Sequence, residues 1–409
     1  MWKLIYNLLV HAALPFLALV TLANRKIRKN FHERLFPRRA PTDRLWVHAA
    51  SVGEAVIAEN LINFMISRGY QGHFLVTTNT YYARDLLRRK LGRNAEVSSL
   101  PFDVPFSINR FMANGRFAAL LLVETEIWPN LIWAARKRGV PVIVVNGRIS
   151  DQTLASYRRL GFFLKGVFSA VTLVITQSEE HRDRYIAIGV DPVRCMATGN
   201  LKYFREVPRS VTPPSDVVTF GSVKEKELDA LLPVVSALKE QHPALLIFIA
   251  PRELHLVTRI EKELPQGLRV GRFSALRNAT FDVDVVVVDT VGDLMSIYGM
   301  SRLAFVGGSL APYGGQNMLE PLFFGTPVLF GPHVENFRDV ATEVLTAGAG
   351  VTVRDGNELR SEMERLLGDQ EARTRMGNAG LEIVRRHQGA MEETVRLIME
   401  RLWKNSPGL

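Results

Sequence analysis

Two kinds of residue in this sequence are placed to do chemistry: glycines grouped into loops that can receive an anion, and carboxylates set at the ends of apolar runs. The richest stretch is 303–337, LAFVGGSLAPYGGQNMLEPLFFGTPVLFGPHVENF. Gly307, Gly308, Gly314 and Gly315 remove the Cβ atoms that would hold a ligand away from the backbone. A buried strand over Leu303–Val306 and a short helix opening near Gln316 would bring unpaired N–H groups and the positive end of a helix dipole to one point. A phosphate can be held there. Glu320, four residues after Gln316, lies one turn further on the same face and can accept hydrogen bonds from sugar hydroxyls. A tight β–α turn with a solvated Glu320 is the plain alternative. The paired glycines, with Asn317 and Glu320 beside them, favour a nucleotide-type site.

The carboxylates occur earlier. Glu54 follows the short strand LWVHA (Leu45–Ala49) and the loop Ala50-Ser51-Val52-Gly53, at the start of a helix. Such a residue usually serves the helix dipole. It also stands above the C-terminal ends of parallel strands, where open α/β sheets bind ligands. Glu124 and Glu126 directly follow the apolar run LLLV, in Glu124-Thr125-Glu126-Ile127-Trp128-Pro129-Asn130. Two acids at a strand end are costly unless solvated or used, and capping of a helix beginning near Pro129 is the competing role for Glu126. Arg148, in Asn146-Gly147-Arg148, and Lys202, in Gly199-Asn200-Leu201-Lys202, also follow strands. As surface charges they need no explanation; beside the acidic loops they are candidate ligands for an anionic substrate.

The elements that must position these groups alternate strand and helix, which predicts doubly wound parallel sheets. Strands are expected at 74–77, 120–123, 142–145, 173–176, 217–220, 245–250, 285–289, 303–306 and 328–330. The stretch 208–214, PRSVTPP, reads as a linker. The expected organisation is residues 1–40 as a basic-flanked anchor, 41–207 and 215–409 as two Rossmann-like domains with an interdomain cleft, and terminal helices that pack back on the first domain. Gly377 and Gly380 are where the last helical segment, 372–403, would break. The 409 residues suffice for such cores, and 47% hydrophobic residues suit a globular α/β protein. A single cysteine, Cys195, excludes an intrachain disulfide, and nine histidines without a paired ligand motif support no metal site.

The charge is uneven. Of the net +10, residues 1–40 carry +7, from eight basic residues against Glu33. Leu4–Leu22 is apolar apart from Asn7, His11 and Thr21, and as a helix would be roughly 28 Å long, near the hydrocarbon thickness of a bilayer. An apolar tract followed by a cationic cluster points to an anionic inner-membrane surface rather than a nucleic-acid groove, with the later residues on the cytoplasmic side. A buried N-terminal helix is the alternative.

Several of these motifs occur together in one family. Ser51-Val52-Gly53-Glu54, Glu124–Asn130, Gly199–Lys202, Asp289-Thr290-Val291-Gly292-Asp293-Leu294, Phe305–Leu310 and Asn317-Met318-Leu319-Glu320-Pro321 resemble, in order, the 3-deoxy-D-manno-octulosonic acid (Kdo) transferases of lipopolysaccharide synthesis. The resemblance implies a GT-B fold, CMP-Kdo as donor, a lipid A precursor such as lipid IVA as acceptor, and no metal or further cofactor. It implies catalytic work for Glu54, Glu124 and Glu126, and the Kdo carboxylate on Lys202 and Arg148. The donor would fall to Arg252, Gly292, Gly307, Gly308, Ser309, Gln316, Asn317 and Glu320. Three places depart from the family pattern: Ser222-Val223-Lys224, where Ser-Thr-His is usual; Gln316, where histidine is usual; and Tyr203-Phe204, where an aspartate is common. A transferase for another nucleotide sugar, a sugar-nucleotide epimerase, and a non-catalytic carbohydrate-binding protein are the rival readings.

Overall fold

The structure, a computed structural model, describes residues 2–21, 31–205, 216–276 and 282–405. The chain divides into two units, Met1–Arg205 with His387–Leu409, and Glu206–Arg386. The proposed linker 208–214 and the basic residues 25–29 lie outside the described residues.

In the first unit the strands β1 (Arg44–His48), β2 (His73–Thr78), β3 (Ala95–Ser99), β4 (Phe117–Val123), β5 (Val142–Gly147), β6 (Leu173–Thr176) and β7 (Cys195–Ala197) form one parallel sheet in the order β3-β2-β1-β4-β5-β6-β7. Strand periodicity sends alternate side chains to opposite faces. Leu45, Val47, Ala119, Leu121 and Val123 join one core, while Trp46, Leu120 and Leu122 join the other. Both faces are therefore covered, as parallel sheets require. The C-terminal part of the last helix completes the first core with Ala390, Met391, Val395, Ile398 and Leu402.

The second unit repeats the plan. Strands β8 (Val217–Val223), β9 (Leu246–Pro251), β10 (Val270–Arg272), β11 (Val285–Val287), β12 (Leu303–Val306), β13 (Val328–Phe330) and β14 (Gly350–Thr352) pair in parallel in the order β10-β11-β9-β8-β12-β13-β14. In each unit the strand order reverses beside its first strand, between β1 and β4 and between β8 and β12. Loops diverge there and leave a crevice at the strand C-termini.

Two helical expectations are corrected. The helix after the paired glycines begins at Leu319 rather than Gln316 and is only four residues long. The last helix runs unbroken over Gln370–Asn405. Gly377 and Gly380 are contact residues within it: a Cβ on Gly377 would lie 2.3 Å from the Gly325 carbonyl oxygen, and one on Gly380 2.8 Å from Leu322.

The N-terminal helix spans Trp2–Thr21 with Pro15 inside it. Among the described residues no helix is long and apolar enough to cross a membrane. This one is tied to its own unit by polar bonds: Tyr6 donates its hydroxyl to Asp103 Oδ2 at 2.7 Å, and Asn130 donates to Asn7 Oδ1 at 2.8 Å. Tyr6 also packs against Trp133 and Phe163. Asp103 accepts from the amides of Asn130 and Leu131 at 3.0 and 2.8 Å, capping the helix Pro129–Lys137. Burial pushes its carboxyl above the usual range, against the pull of those hydrogen bonds. Tyr6→Phe should remove one bond to this carboxyl and cost about 1–2 kcal/mol. Urea unfolding of the full chain, followed by the fluorescence of the first unit, would register it as a lower midpoint.

Candidate functional site

The first cluster grows from the reversal of strand order in the first unit. Chain leaving β1 passes Ala49 and Ala50 to Ser51, which caps the helix Val52–Ser67 by accepting the Glu54 amide. Glu54 completes a reciprocal cap: its Oε2 accepts from the Ala50 amide at 2.8 Å and its Oε1 from the Ser51 hydroxyl at 2.7 Å. The carboxylate is thereby held, 8% exposed, over the end of the sheet. Its capping role is real, and the remaining lone pairs leave room for a second one.

Just past the neighbouring strand β4, Glu124 has a φ of 61°, in the left-handed region. Its amide donates to the Val145 carbonyl at 2.8 Å. Burial raises the Glu124 carboxyl above its usual range, Glu54 and Glu126 raise it further, and Arg148 and Lys202 pull it down. Glu124 is thus acted on by four charged groups, of which Glu54, Arg148 and Lys202 come from other loops of the sequence.

Glu126 is not the helix cap; Asp103 takes that position. Glu126 Oε2 instead accepts from Trp128 Nε1 at 2.9 Å and faces His48 Nε2 at 3.4 Å. His48 is fully buried, with Nδ1 2.9 Å from the Thr77 carbonyl oxygen. The Thr77 hydroxyl also receives Trp46 Nε1 at 2.9 Å. Arg34 is a further neighbour of Glu126: burial lowers the guanidinium to about 10, and Glu126 acts against that fall. Arg34 donates to the Leu100 carbonyl at 2.8 Å and stacks 4.5 Å from the centre of the Phe102 ring. Neither His48 nor Arg34 stood out in the sequence. His48 ends an apolar strand where a core histidine is ordinary, and Arg34 was one of many cations in a basic flank.

The cationic side is built from β5 and β7. Asn146, with φ 58°, shifts the register of β5 and turns its Oδ1 to accept the Leu201 amide at 2.9 Å. That bond holds the turn Leu201–Tyr203, on which Lys202 sits. Gly199 is required before it, because at φ 119° a Cβ would come within 2.8 Å of Ala390.

In the second unit the glycine loop is already occupied. Glu227, 1% exposed, accepts the Gly308 amide on Oε2 at 2.7 Å and the Ser309 and Leu310 amides on Oε1 at 2.9 Å each. The expectation that Gly307 and Gly308 cradle a phosphate with their own N–H groups is corrected to that extent: this nest holds an internal carboxylate. Glu227 was missed because it lies in a run of charges, Lys224-Glu225-Lys226-Glu227, that reads as solvated surface.

Of the other expected donor residues, Gln316 adjoins that loop directly. The Gly315 amide donates to the Gly308 carbonyl at 2.7 Å, and Gln316 lies against Gly308. Asn317 caps Leu319 and donates to Glu320 at 3.5 Å. Arg252 is exposed just past β9, its amide bonded to the Val223 carbonyl at 2.8 Å. Gly292 turns with φ 98° in a loop closed by the bond from Thr290 to Asp293. Lys224 pairs with Glu253 and lies 5.3 Å from the centre of the Tyr313 ring.

Comparison with known proteins gives this arrangement a family. A sequence model described as 3-deoxy-D-manno-octulosonic-acid transferase (kdotransferase) matches residues 29–205. The chain is 31% identical to the 3-deoxy-D-manno-octulosonic acid transferase of Bordetella pertussis, over 88% of this chain and 87% of that protein. It is 29% identical to that of Haemophilus influenzae, over 99% of this chain and 100% of that protein. Among solved structures, MurG of Acinetobacter baumannii covers 88% of this chain with a TM-score of 0.53 and 16% identity. The UDP-GlcNAc 2-epimerase of Neisseria meningitidis bound to UDP-GlcNAc covers 88% with a TM-score of 0.56 and 13% identity. Likeness at those identities speaks for the fold, which is α/β with two parallel sheets and GT-B-like neighbours; the sequence matches carry the rest, and the chain belongs to the 3-deoxy-D-manno-octulosonic acid transferase family.

Proposed function

We propose that the chain is an inverting glycosyltransferase that moves Kdo from CMP-Kdo to a lipid A precursor, lipid IVA, in lipopolysaccharide synthesis. The observation that carries the reading is that Glu54 and Glu124 stand at the strand-order reversal of the first unit, with Glu126, Arg148 and Lys202 close enough to act on the Glu124 carboxyl, in a member of the Kdo transferase family. The first unit takes the acceptor. The second takes the nucleotide through Arg252, Gly292, Gln316, Asn317 and Glu320, with the loop Gly307–Ser309 as the scaffold beneath Gln316.

In a single displacement the acceptor hydroxyl oxygen forms a bond to the anomeric carbon as the bond to the CMP phosphate breaks. The bonding pair leaves with the phosphate, and the hydroxyl proton passes to a carboxylate. Glu54 receives it. Its position is fixed by the cap at the head of the helix Val52–Ser67. Glu126, held by Trp128, orients the acceptor or stabilises positive charge at the sugar centre. Glu124 is the weaker candidate, because burial and its acidic neighbours favour its protonated form. Lys202 and Arg148 receive the Kdo carboxylate. The leaving group is a phosphate monoester, stable as an anion, so hydrogen bonds and cations suffice without a metal or other cofactor.

The lipid partner is the inner membrane. The N-terminal helix exposes Trp2, Leu4, Ile5, Leu8, Leu9 and Phe16. Trp2 also lines an open cavity of about 520 Å³ with Leu160, Phe162, Arg158, Arg159 and Lys165. Apolar side chains ringed by cations suit an anionic lipid surface, with the catalytic units on the cytoplasmic side.

Incubation of the purified protein with CMP-Kdo and lipid IVA, followed by mass spectrometry of the lipid, tests the reading. A product heavier by one or more Kdo residues is expected; unchanged lipid, with turnover of another sugar nucleotide, would replace the donor. Glu54→Gln can keep the cap, since glutamine serves that position as well. It should fold and bind CMP normally yet lose about 10²–10⁴-fold in kcat; near-normal turnover would move the base to Glu126. Glu320→Ala should raise the KM for CMP-Kdo more than that for the acceptor, and an activity strictly dependent on added divalent cation would contradict the metal-free scheme. The double variant Leu8→Glu/Leu9→Glu alters exposed positions only. It should float several-fold less with vesicles containing anionic phospholipid, and undiminished flotation would remove this helix from the membrane contact.

A further inference from the structure

Glu227 spends all of its visible bonding on backbone. Besides the Gly308, Ser309 and Leu310 amides, its Oε2 accepts the Lys224 amide at 2.9 Å. The four donors belong to two loops, one leaving β8 and one leaving β12, on either side of the strand-order reversal in the second unit. The fit is close: a Cβ on Gly307 would stand 2.9 Å from Glu227 Oε2 and 2.8 Å from the Ser222 carbonyl oxygen. Successive amides converging on one point form an anion-binding concavity, and here the chain supplies the anion itself.

From this carboxylate two short hydrogen-bonded paths reach residues assigned to the donor. One runs from the Lys224 amide to Val223, whose carbonyl accepts the Arg252 amide at 2.8 Å. The other runs from Gly308, whose carbonyl accepts the Gly315 amide at 2.7 Å and so places Gln316, Asn317 and Glu320. We infer that Glu227 is a positioning residue for the nucleotide: it does not touch the donor, but fixes together the loop that aims Arg252 and the loop that aims Glu320. The inference rests on the reading that the second unit binds the cytidine nucleotide. Losing the carboxylate leaves four amides without their acceptor and lets both loops relax, so the nucleotide must then order them at the expense of its own binding.

Calorimetric titration of CMP into the full chain tests this with wild type, Glu227→Ala and Glu227→Gln. The alanine variant should bind CMP about tenfold more weakly or worse, a difference of about 1.4 kcal/mol or more. Sodium formate, a carboxylate small enough to enter the vacated nest, should restore most of the affinity, while sodium chloride at equal ionic strength should not. Glutamine fills the site but presents an amide nitrogen to some of the donors, so it should weaken binding without rescue by formate. In turnover the KM for CMP-Kdo should rise in both variants and that for the lipid acceptor should stay unchanged. A folded variant with wild-type CMP affinity would overturn the positioning role, and Glu227→Gln, which keeps the side-chain volume, decides the matter if the alanine variant does not fold. Weakened binding of both substrates, unrelieved by formate, would reduce Glu227 to a stabiliser of the fold and equally overturn it. Failure of the wild type to bind CMP would instead overturn the donor assignment, and the inference with it.

Discussion

Where a parallel strand gives way to a helix, N–H groups are left without backbone acceptors, and buried donors must find partners. This chain meets that demand with carboxylates. Glu54 accepts the Ala50 amide and the Ser51 hydroxyl after β1, Asp103 accepts the Asn130 and Leu131 amides after β4, and Glu227 accepts four amides at the ends of β8 and β12. Each lies at the C-terminal side of its sheet, where helix dipoles also favour negative charge. The loops bounding both crevices are therefore held by ionisable side chains as much as by apolar packing.

That constraint divides the acids by task. Asp103 and Glu227 are committed to backbone, and Asp103 also anchors the N-terminal helix through Tyr6. Glu126 has an indole donor and a buried imidazole on one oxygen, while its other oxygen has no such commitment among the bonds described. Glu54 stands between the two classes: bonded on both oxygens, yet close enough to Glu124 to affect its titration. A general base must be both precisely held and chemically free, and a capping carboxylate with spare lone pairs meets both conditions. Arg148 and Lys202 offset part of the upward pull that burial, Glu54 and Glu126 exert on the Glu124 carboxyl.

How much of this was legible in the sequence follows from where each residue's free energy lies. Interior strands bury both faces and spell themselves as apolar runs, so LWVHA and LLLV were readable. The strands missed, Ala95–Ser99, Val270–Arg272 and Gly350–Thr352, and the one given no bounds, Cys195–Ala197, are the outermost ones of the two sheets. An edge strand has one neighbour and less burial, and its sequence need not be apolar. The acidic motifs were legible because an acid after an apolar run is costly without a purpose. Glu227 was not, since its partners are backbone amides from residues 308–310 and nothing in a charge run announces a contact over that distance. Gly377 and Gly380 misled for the opposite reason: they read as helix breakers, whereas tertiary contact outweighs the roughly 1 kcal/mol helical penalty of glycine.

Backbone strain marks the same strand ends. Of the non-glycine residues with positive φ, Asp43 precedes β1, while Glu124, Asn146 and Ser222, at 61°, 58° and 55°, hold at the C-terminal side a conformation that costs about 1–3 kcal/mol where it is not intrinsically favoured. Glu124 directly follows β4, Asn146 falls in the register shift of β5, and Ser222 in that of β8. An extended residue at any of these places would carry the chain straight on and point its successor to the other face of the sheet. The left-handed turn instead accompanies the bond from the Glu124 amide to the Val145 carbonyl, lets Asn146 reach the Leu201 amide, and brings the Lys224 amide within reach of Glu227. At Asn146 the strain adjoins the bond to the Leu201 amide, and beside Ser222 it adjoins the bond from the Lys224 amide to Glu227. Straightening either residue would move the loop that its neighbouring bond holds, so the local cost is tied to the placement of the turn that carries Lys202 and of the loop whose Val223 carbonyl accepts the Arg252 amide.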